Sequence, residues 1–125
     1  MLAKSVMIED FVTSVEPFIG ADGSGSSVSG KIYYSGVFVM ITGDILLKSL
    51  KAGADTRFAI TTDLFGGMGN LAPTRNNVKS IAIAGSRVMV LRLTTSGELA
   101  VRNCGTDYTN SGDNKIDFRL DYALI

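Results

Sequence analysis

"KIDFRLDYALI", residues 115 to 125, alternates without a break. Ile116, Phe118, Leu120, Tyr122 and Leu124 share one parity, while Lys115, Asp117, Arg119 and Asp121 share the other. Successive side chains of a strand point to opposite faces, so this period of two predicts a β-strand with five apolar groups on a core and four charges in water. The charges alternate in sign, which favours pairing with neighbours in one register. The expectation is a last strand inside a sheet, whose removal from residue 120 onward abolishes folding.

The same logic extends upstream. In "RLTTSGELAV", Gly97 follows Thr94, Thr95 and Ser96 between two strand runs. That order suits a type I turn continued by a glycine in the left-handed region as a bulge, with Arg92 and Glu98 as a cross-strand pair. "KIYYSGVFVMITGDILLKSL" reads as β-rich runs broken at Gly36 and Gly43, "KAGAD" as a turn, and "TRFAIT", "KSIAIAG", "RVMVLRLTT" and "ELAVRN" as further strands. Between them "DLFGGMGNLAPTRNN", residues 63 to 77, reads as a long surface loop. β-branched residues and regular glycines argue against helix. The fold class is all-β: an antiparallel, jelly-roll-like β-sandwich of about eight or nine short strands.

The N-terminal part is less determined. Its apolar positions, among them Leu2, Val6, Met7, Ile8, Phe11, Val12, Val15 and Phe18, fit a helical stripe about as well as a strand followed by a bend at Pro17. The β-branched and aromatic content favours the strand. "GADGSGSSVSG", residues 20 to 30, carries four glycines and four serines and reads as a flexible linker. Residues 1–24 are thus an N-terminal segment with its linker, a potential docking element, and residues 25–125 are the β-sandwich domain.

Composition bounds the function. A chain of 125 residues, 46% hydrophobic and 19% charged, fits one ordered domain of the usual size, roughly 100 to 150 residues. Net charge is zero and the basic residues are scattered from Lys4 to Arg119, which disfavours nucleic acid as a partner. "MLAKSVMIEDFV" is interrupted by Glu9 and Asp10 before any apolar run reaches signal-peptide length. No run approaches the roughly 20 apolar residues of a membrane helix. A protein without membrane insertion or a cleaved signal is expected.

No catalytic signature stands out. Histidine is absent, which removes the usual base partner of a serine or cysteine nucleophile. The glycine run lacks the Gly-Lys-Ser/Thr end of a phosphate loop. Asp107 and Asp113 in "CGTDYTNSGDNKID" could approach one another, but an Asp/Asn/Ser/Gly turn capping its own backbone explains them better than a calcium loop. Cys104, the single cysteine, reads as a small buried residue with no disulfide partner and no cluster for zinc. Adjacent Tyr33 and Tyr34 must point to opposite faces of a strand, one to the core and one outward, where it could stack on a sugar or pack on a neighbouring subunit. No cofactor and no metal site is expected, and the protein is read as a non-enzyme.

Taken in order, "GVFVMITGDI", "LLKSLKAGAD", "RFAITTDLFGGMGNLAPTRNN", "VMVLRLTTSGELAVRN" and "IDFRLDYALI" resemble the C-terminal head domains of bacteriophage tail fibres and baseplate receptor-binding proteins. The resemblance covers about three quarters of the chain and implies a homotrimer in the virion. It further implies contact with other virion proteins and binding of a host surface saccharide or protein. Loops on a rigid sandwich are the natural recognition elements. The expected contact residues are therefore Asn70, Arg75 and Asn76 in the 66–76 loop, with Asp107, Tyr108, Asn110, Asp113 and Asn114 in the 105–114 loop. Competing readings are a capsid decoration or head-fibre protein with a purely structural role, a head domain excised from a longer fibre, and a monomeric carbohydrate-binding module of a bacterial enzyme. The missing tryptophan and the start at Met1 depart from the usual head domain, which follows a long shaft.

Overall fold

The computed structural model describes residues 14–62, 66–110 and 112–125. Among these the chain forms β1 (Ser14–Ala21), β2 (Ser27–Ser35), β3 (Phe38–Leu46), β4 (Ser49–Leu50), β5 (Asp55–Ala59), β6 (Thr61–Thr62), β7 (Val78–Ala84), β8 (Arg87–Leu93), β9 (Glu98–Asn103), β10 (Tyr108–Thr109) and β11 (Ile116–Ala123). A single 3-10 turn, Gly69–Leu71, interrupts the loop before β7. β4, β6 and β10 have two residues each, and the remaining strands are those that the alternation announces.

Two antiparallel sheets make the sandwich. One runs β11-β3-β2-β1-β6, the other β5-β9-β8-β7, and β4 with β10 forms a small ribbon beside them. β1-β2-β3 and β7-β8-β9 are meanders through short turns, whereas β6 beside β1, β11 beside β3 and β5 beside β9 are neighbours distant in sequence, reached by connections that pass between the sheets. The shortest of these crossings occurs at buried Ile60, the single residue between β5 and β6. A strand that bends from one layer into the next closes a corner of the sandwich.

Alternation puts Phe18, Val28, Ile32, Ile41 and Ile45 of the first sheet against Phe58, Leu91, Leu93, Leu99 and Val101 of the second. Burial of such side chains stabilises by roughly 1.5 to 3 kcal/mol each. Of the gaps inside this core, that between Phe18, Ile32, Leu99 and Phe118 has a volume of about 10 Å³. That is at the lower limit for a single water.

β11 carries the expected faces. Ile116, Phe118 and Leu120 are buried, Tyr122 and Leu124 are partly so, and Lys115, Asp117, Arg119 and Asp121 are exposed. Its place in the sheet differs from the expectation: among the described residues β11 is paired with β3 alone and ends its sheet, with its other flank lying along β7. Side-chain packing across the corner substitutes there for a second ladder.

Gly43 is not a break. It lies within β3, opposite Gly30 of β2 on one side and Phe118 of β11 on the other. A Cβ on Gly30 would fall on the Thr42 carbonyl oxygen and 2.6 Å from the Gly43 Cα, and one on Gly43 would lie 2.5 Å from the Ser29 oxygen and 3.0 Å from the Phe118 ring. The aromatic ring thus occupies the space above a glycine pair, an arrangement that restores packing where two strands approach too closely for side chains.

The serine- and glycine-rich stretch is not a linker. Gly20 and Ala21 belong to β1, Ser27 to Gly30 belong to β2, and only residues 22–26 turn between them. There Asp22 accepts hydrogen bonds from the Ser24 amide (2.8 Å) and hydroxyl (2.7 Å) and from the Thr56 hydroxyl (2.5 Å). β1 runs straight through Pro17, opposite Lys31, where an expected bend is replaced by regular strand. Among the described residues β6 flanks β1 only at Phe18 and Ile19, and the proline nitrogen, which has no hydrogen to donate, has no ladder partner on that side. Residues 1–13 lie outside the described residues.

The β8–β9 turn has the expected form: Gly97 has φ 85°, its amide donates to Thr94 O at 3.0 Å, and Thr94 N donates to Glu98 O at 2.9 Å. The bulge sets Arg92 opposite Ala100, so the expected Arg92–Glu98 pair does not form. Arg92 instead meets Asp55 at 3.1 Å and Glu98 meets Arg57 at 3.5 Å. Arg57 and Arg92 both stand opposite Ala100, whose outward face is buried beneath their side chains. Cys104, expected inside, is exposed just after β9.

Gly30→Ala is expected to lower stability by about 2 to 3 kcal/mol, the usual cost of an overpacked site. Chemical denaturation would show a lower midpoint with an unchanged slope. Gly112→Ala, where a Cβ meets nothing within 4 Å, serves as the neutral comparison.

Candidate functional site

The two loops that carry the expected contact residues lie at opposite ends of β11. Residues 66–77 pack against its C-terminal end: the Tyr122 hydroxyl donates to Leu71 O and the Thr74 hydroxyl donates to Ile125 O at 3.0 Å. Burial of Tyr122 pushes its phenol well above the ordinary value, so this donor keeps its proton at all physiological pH. The loop is more than surface, because Met68, Leu71 and Pro73 are buried in it. Asn70, Arg75 and Asn76 are exposed on its outside.

Residues 104–110 and 112–114 pack at the other end, ahead of Ile116. Six residue steps along β11 separate the two ends, roughly 20 Å at 3.4 Å per residue. The expected residues therefore do not converge on one site. Several hold the loop itself. Asp107 accepts the Ala52 amide at 2.8 Å, and buried Asn110 donates to Asn114 O at 2.9 Å while accepting Gly112 N at 3.1 Å. Tyr108 is half-buried, with the Arg87 guanidinium 5.6 Å from its ring centre. Asp113 lies 3.6 Å from Lys48. The carboxylates of Asp107 and Asp113 thus turn to different partners. Asn103 anchors the assembly: fully buried, its amide donates to Leu50 O and Thr106 O at 2.8 Å each, and its oxygen accepts Gly105 N at 2.8 Å.

A more concentrated arrangement lies on the outward face of the five-stranded sheet. Register lays out three rows across β11, β3, β2 and β1: Asp117, Asp44, Ser29 and Ile19; then Arg119, Thr42, Lys31 and Pro17; then Asp121, Met40, Tyr33 and Val15. A shallow depression of about 420 Å³ opens here, lined by Lys31, Tyr33, Thr42, Asp44 and Asp117 with the main chain of Gly30 and Gly43. Of the two adjacent tyrosines, Tyr34 packs against the core and Tyr33 faces outward, as strand alternation requires.

Asp44 and Asp117 face each other directly across the β3–β11 ladder. Like charges in that position are destabilising. A hydrogen bond to Asp117 that only the protonated form can donate, followed by partial burial and the Asp117 charge, raises the Asp44 carboxyl above its ordinary value. Among the described residues no three His, Cys, Asp or Glu side chains are grouped as a metal would need.

This face was only partly legible in the sequence. Tyr33 was marked by its place beside Tyr34, but Asp44 sat in a "TGD" run read as a strand break, and Asp117 read as one solvated charge among four. Only the pairing of β3 with β11 unites them. Comparison with known proteins finds no family model that matches this chain and no curated protein similar to it.

Two outcomes are expected. A raised carboxyl favours the protonated folded state, so the pair's contribution is most favourable below the ordinary value of 3.8 and is lost as pH rises through the raised value. Asp44→Asn should therefore melt at a higher temperature than the parent at neutral pH, and the difference should vanish on acidification below 3.8. Asn103→Ala should cost about 3 kcal/mol in equilibrium unfolding, because it strands buried carbonyl partners.

Proposed function

We propose that this chain is a non-enzymatic head domain of a bacteriophage particle that assembles as a trimer and contributes to attachment to the host cell. The observation that supports this most is the aliphatic patch on the outward face of the four-stranded sheet. The five-stranded sheet offers a shallow, mixed surface on which Lys31, Tyr33, Asp44 and Asp117 stand among exposed Val15, Ile19 and Phe38. The four-stranded sheet offers an apolar half: Ile81 and Ile83 of β7, 66% and 60% exposed, stand opposite Val90 and Val88 of β8. A contiguous aliphatic patch of this kind marks contact with another protein surface. Its other half is charged, with Asp55 between Arg92 and Arg102, and gives such a contact a polar rim.

Under this reading the apolar hairpin is the subunit contact, and the outward face of the five-stranded sheet and the loops remain available to the host. A capsid decoration or head-fibre role would use the same apolar patch without any host contact, and the two roles separate experimentally. Purified chain should adsorb to host cells and slow phage adsorption in competition. Incorporation into particles without cell binding would favour the purely structural role. In sedimentation the parent should run near three times its 13.3 kDa mass, and Ile83→Asp should run as a monomer. A monomeric parent at micromolar concentration would count against the trimer and favour an isolated binding module.

A further inference from the structure

We propose that Asp22–Gly23 is a modification site, at which the chain converts its own aspartate to isoaspartate through a succinimide, and that the Thr56 hydroxyl on the facing sheet sets the pace of that change.

Asp-Gly occurs once in the chain, at this turn, and Asn-Gly does not occur. A main-chain amide attacks the carboxyl of the preceding residue most readily when it belongs to glycine, because no Cβ shields its nitrogen. Gly23 has φ 86°, and among the described residues nothing stands within 4 Å of where its Cβ would be. The turn therefore calls for glycine and leaves the amide open to water. Asp22 is needed as well, since its carboxylate closes the turn on the Ser24 amide (2.8 Å) and hydroxyl (2.7 Å). The connection between β1 and β2 thus joins the two residues whose combination cyclises most easily.

The chemistry needs only water. The Gly23 nitrogen forms a bond to the Asp22 side-chain carbonyl carbon, and its proton leaves with the carboxyl's hydroxyl as water. Water then adds to the main-chain carbonyl carbon of Asp22 in the ring and breaks its bond to the Gly23 nitrogen, which takes up a proton. The main chain now runs through Cβ and the former side-chain carbon, one methylene longer, and the former main-chain carbonyl has become the free carboxylate. One water is lost and one is gained, so the mass is unchanged.

The fold restrains the first step. Ring closure rotates the carboxyl and expels one of its oxygens, yet Ser24 holds one oxygen and Thr56 holds the other at 2.5 Å. Burial favours the reactive acid form, but the hydrogen bonds from Thr56 and Ser24 outweigh it and keep the carboxyl below its ordinary value. Ser24 is part of the turn and moves with it. Thr56 lies on β5, opposite Val101 of β9, and ties the turn to the four-stranded sheet. Isomerisation carries the carboxylate off that hydroxyl and lengthens the β1–β2 connection, so the two sheets lose a tie at this corner.

The test is incubation of the whole chain at neutral pH and body temperature for several weeks, beside a synthetic peptide of residues 19–27. Isoaspartate is read by enzymatic methyl transfer from S-adenosylmethionine and located by fragmentation of the tryptic peptide of residues 5–31. It should form at residue 22, about tenfold or more slowly in the folded chain than in the free peptide. Thr56→Val should speed it about tenfold, the rate equivalent of one hydrogen bond to a charged group, while Thr56→Ser, which keeps the hydroxyl, should stay near the parent rate. Amide hydrogen exchange shows whether each variant is folded; should Thr56→Val not fold, the comparison of parent with peptide decides. No isoaspartate at residue 22 in chain or peptide, a parent as fast as the peptide, a folded Thr56→Val no faster than the parent, or equal acceleration by the valine and serine variants would overturn the proposal.

Discussion

The close approach of Gly30 and Gly43, with the Phe118 ring packed over it, is the constraint on which the first sheet turns. It joins β2, β3 and β11 at one point and admits no side chain at either glycine. Because Phe118 must face Gly43, every other pairing between β3 and β11 follows. Asp117 meets Asp44, Arg119 meets Thr42, and Leu120 meets Ile41. A slip of one residue would turn the apolar parity of β11 to water and bring its charges inward. The outward polar face is therefore a by-product of a packing requirement on the inward one.

The second sheet solves a different problem. Its outer surface is split, aliphatic on β7 and β8 and ionic on β5 and β9. Ala100 under the stems of Arg57 and Arg92 shows how the ionic half still covers apolar area. Exposed ion pairs such as Arg92–Asp55 contribute only about 0 to 1 kcal/mol each. Their value is in covering the sheet and keeping that half of the surface soluble, while the aliphatic half stays open to a partner.

Much of the fold was legible from period two alone. The faces of β11, the turn at Gly97 and the division of Tyr33 from Tyr34 all follow from alternation and local turn chemistry. What alternation cannot supply is partnership between distant strands. Glycine in "SVSGKIYYS" and "FVMITGDIL" reads as punctuation by propensity, yet both glycines sit mid-strand because a third strand brings a phenyl ring against them. For the same reason the serine-glycine stretch looked like a spacer, although half of it is a strand paired with its neighbour. The loop residues chosen by polarity proved to be split: Asp107 and Asn110 satisfy their own surroundings, whereas Asn70, Arg75 and Asn76 stand far off at the opposite end.

Pro17 carries a consequence of its own. Among the described residues no strand is paired with β1 on that flank from Ser14 to Pro17, and a flank with a regular row of donors is the kind that recruits other extended chains. A ring nitrogen without hydrogen in the middle of that stretch interrupts the donor row. The residue that looked like a bend thus lowers the capacity of that flank to add a further strand.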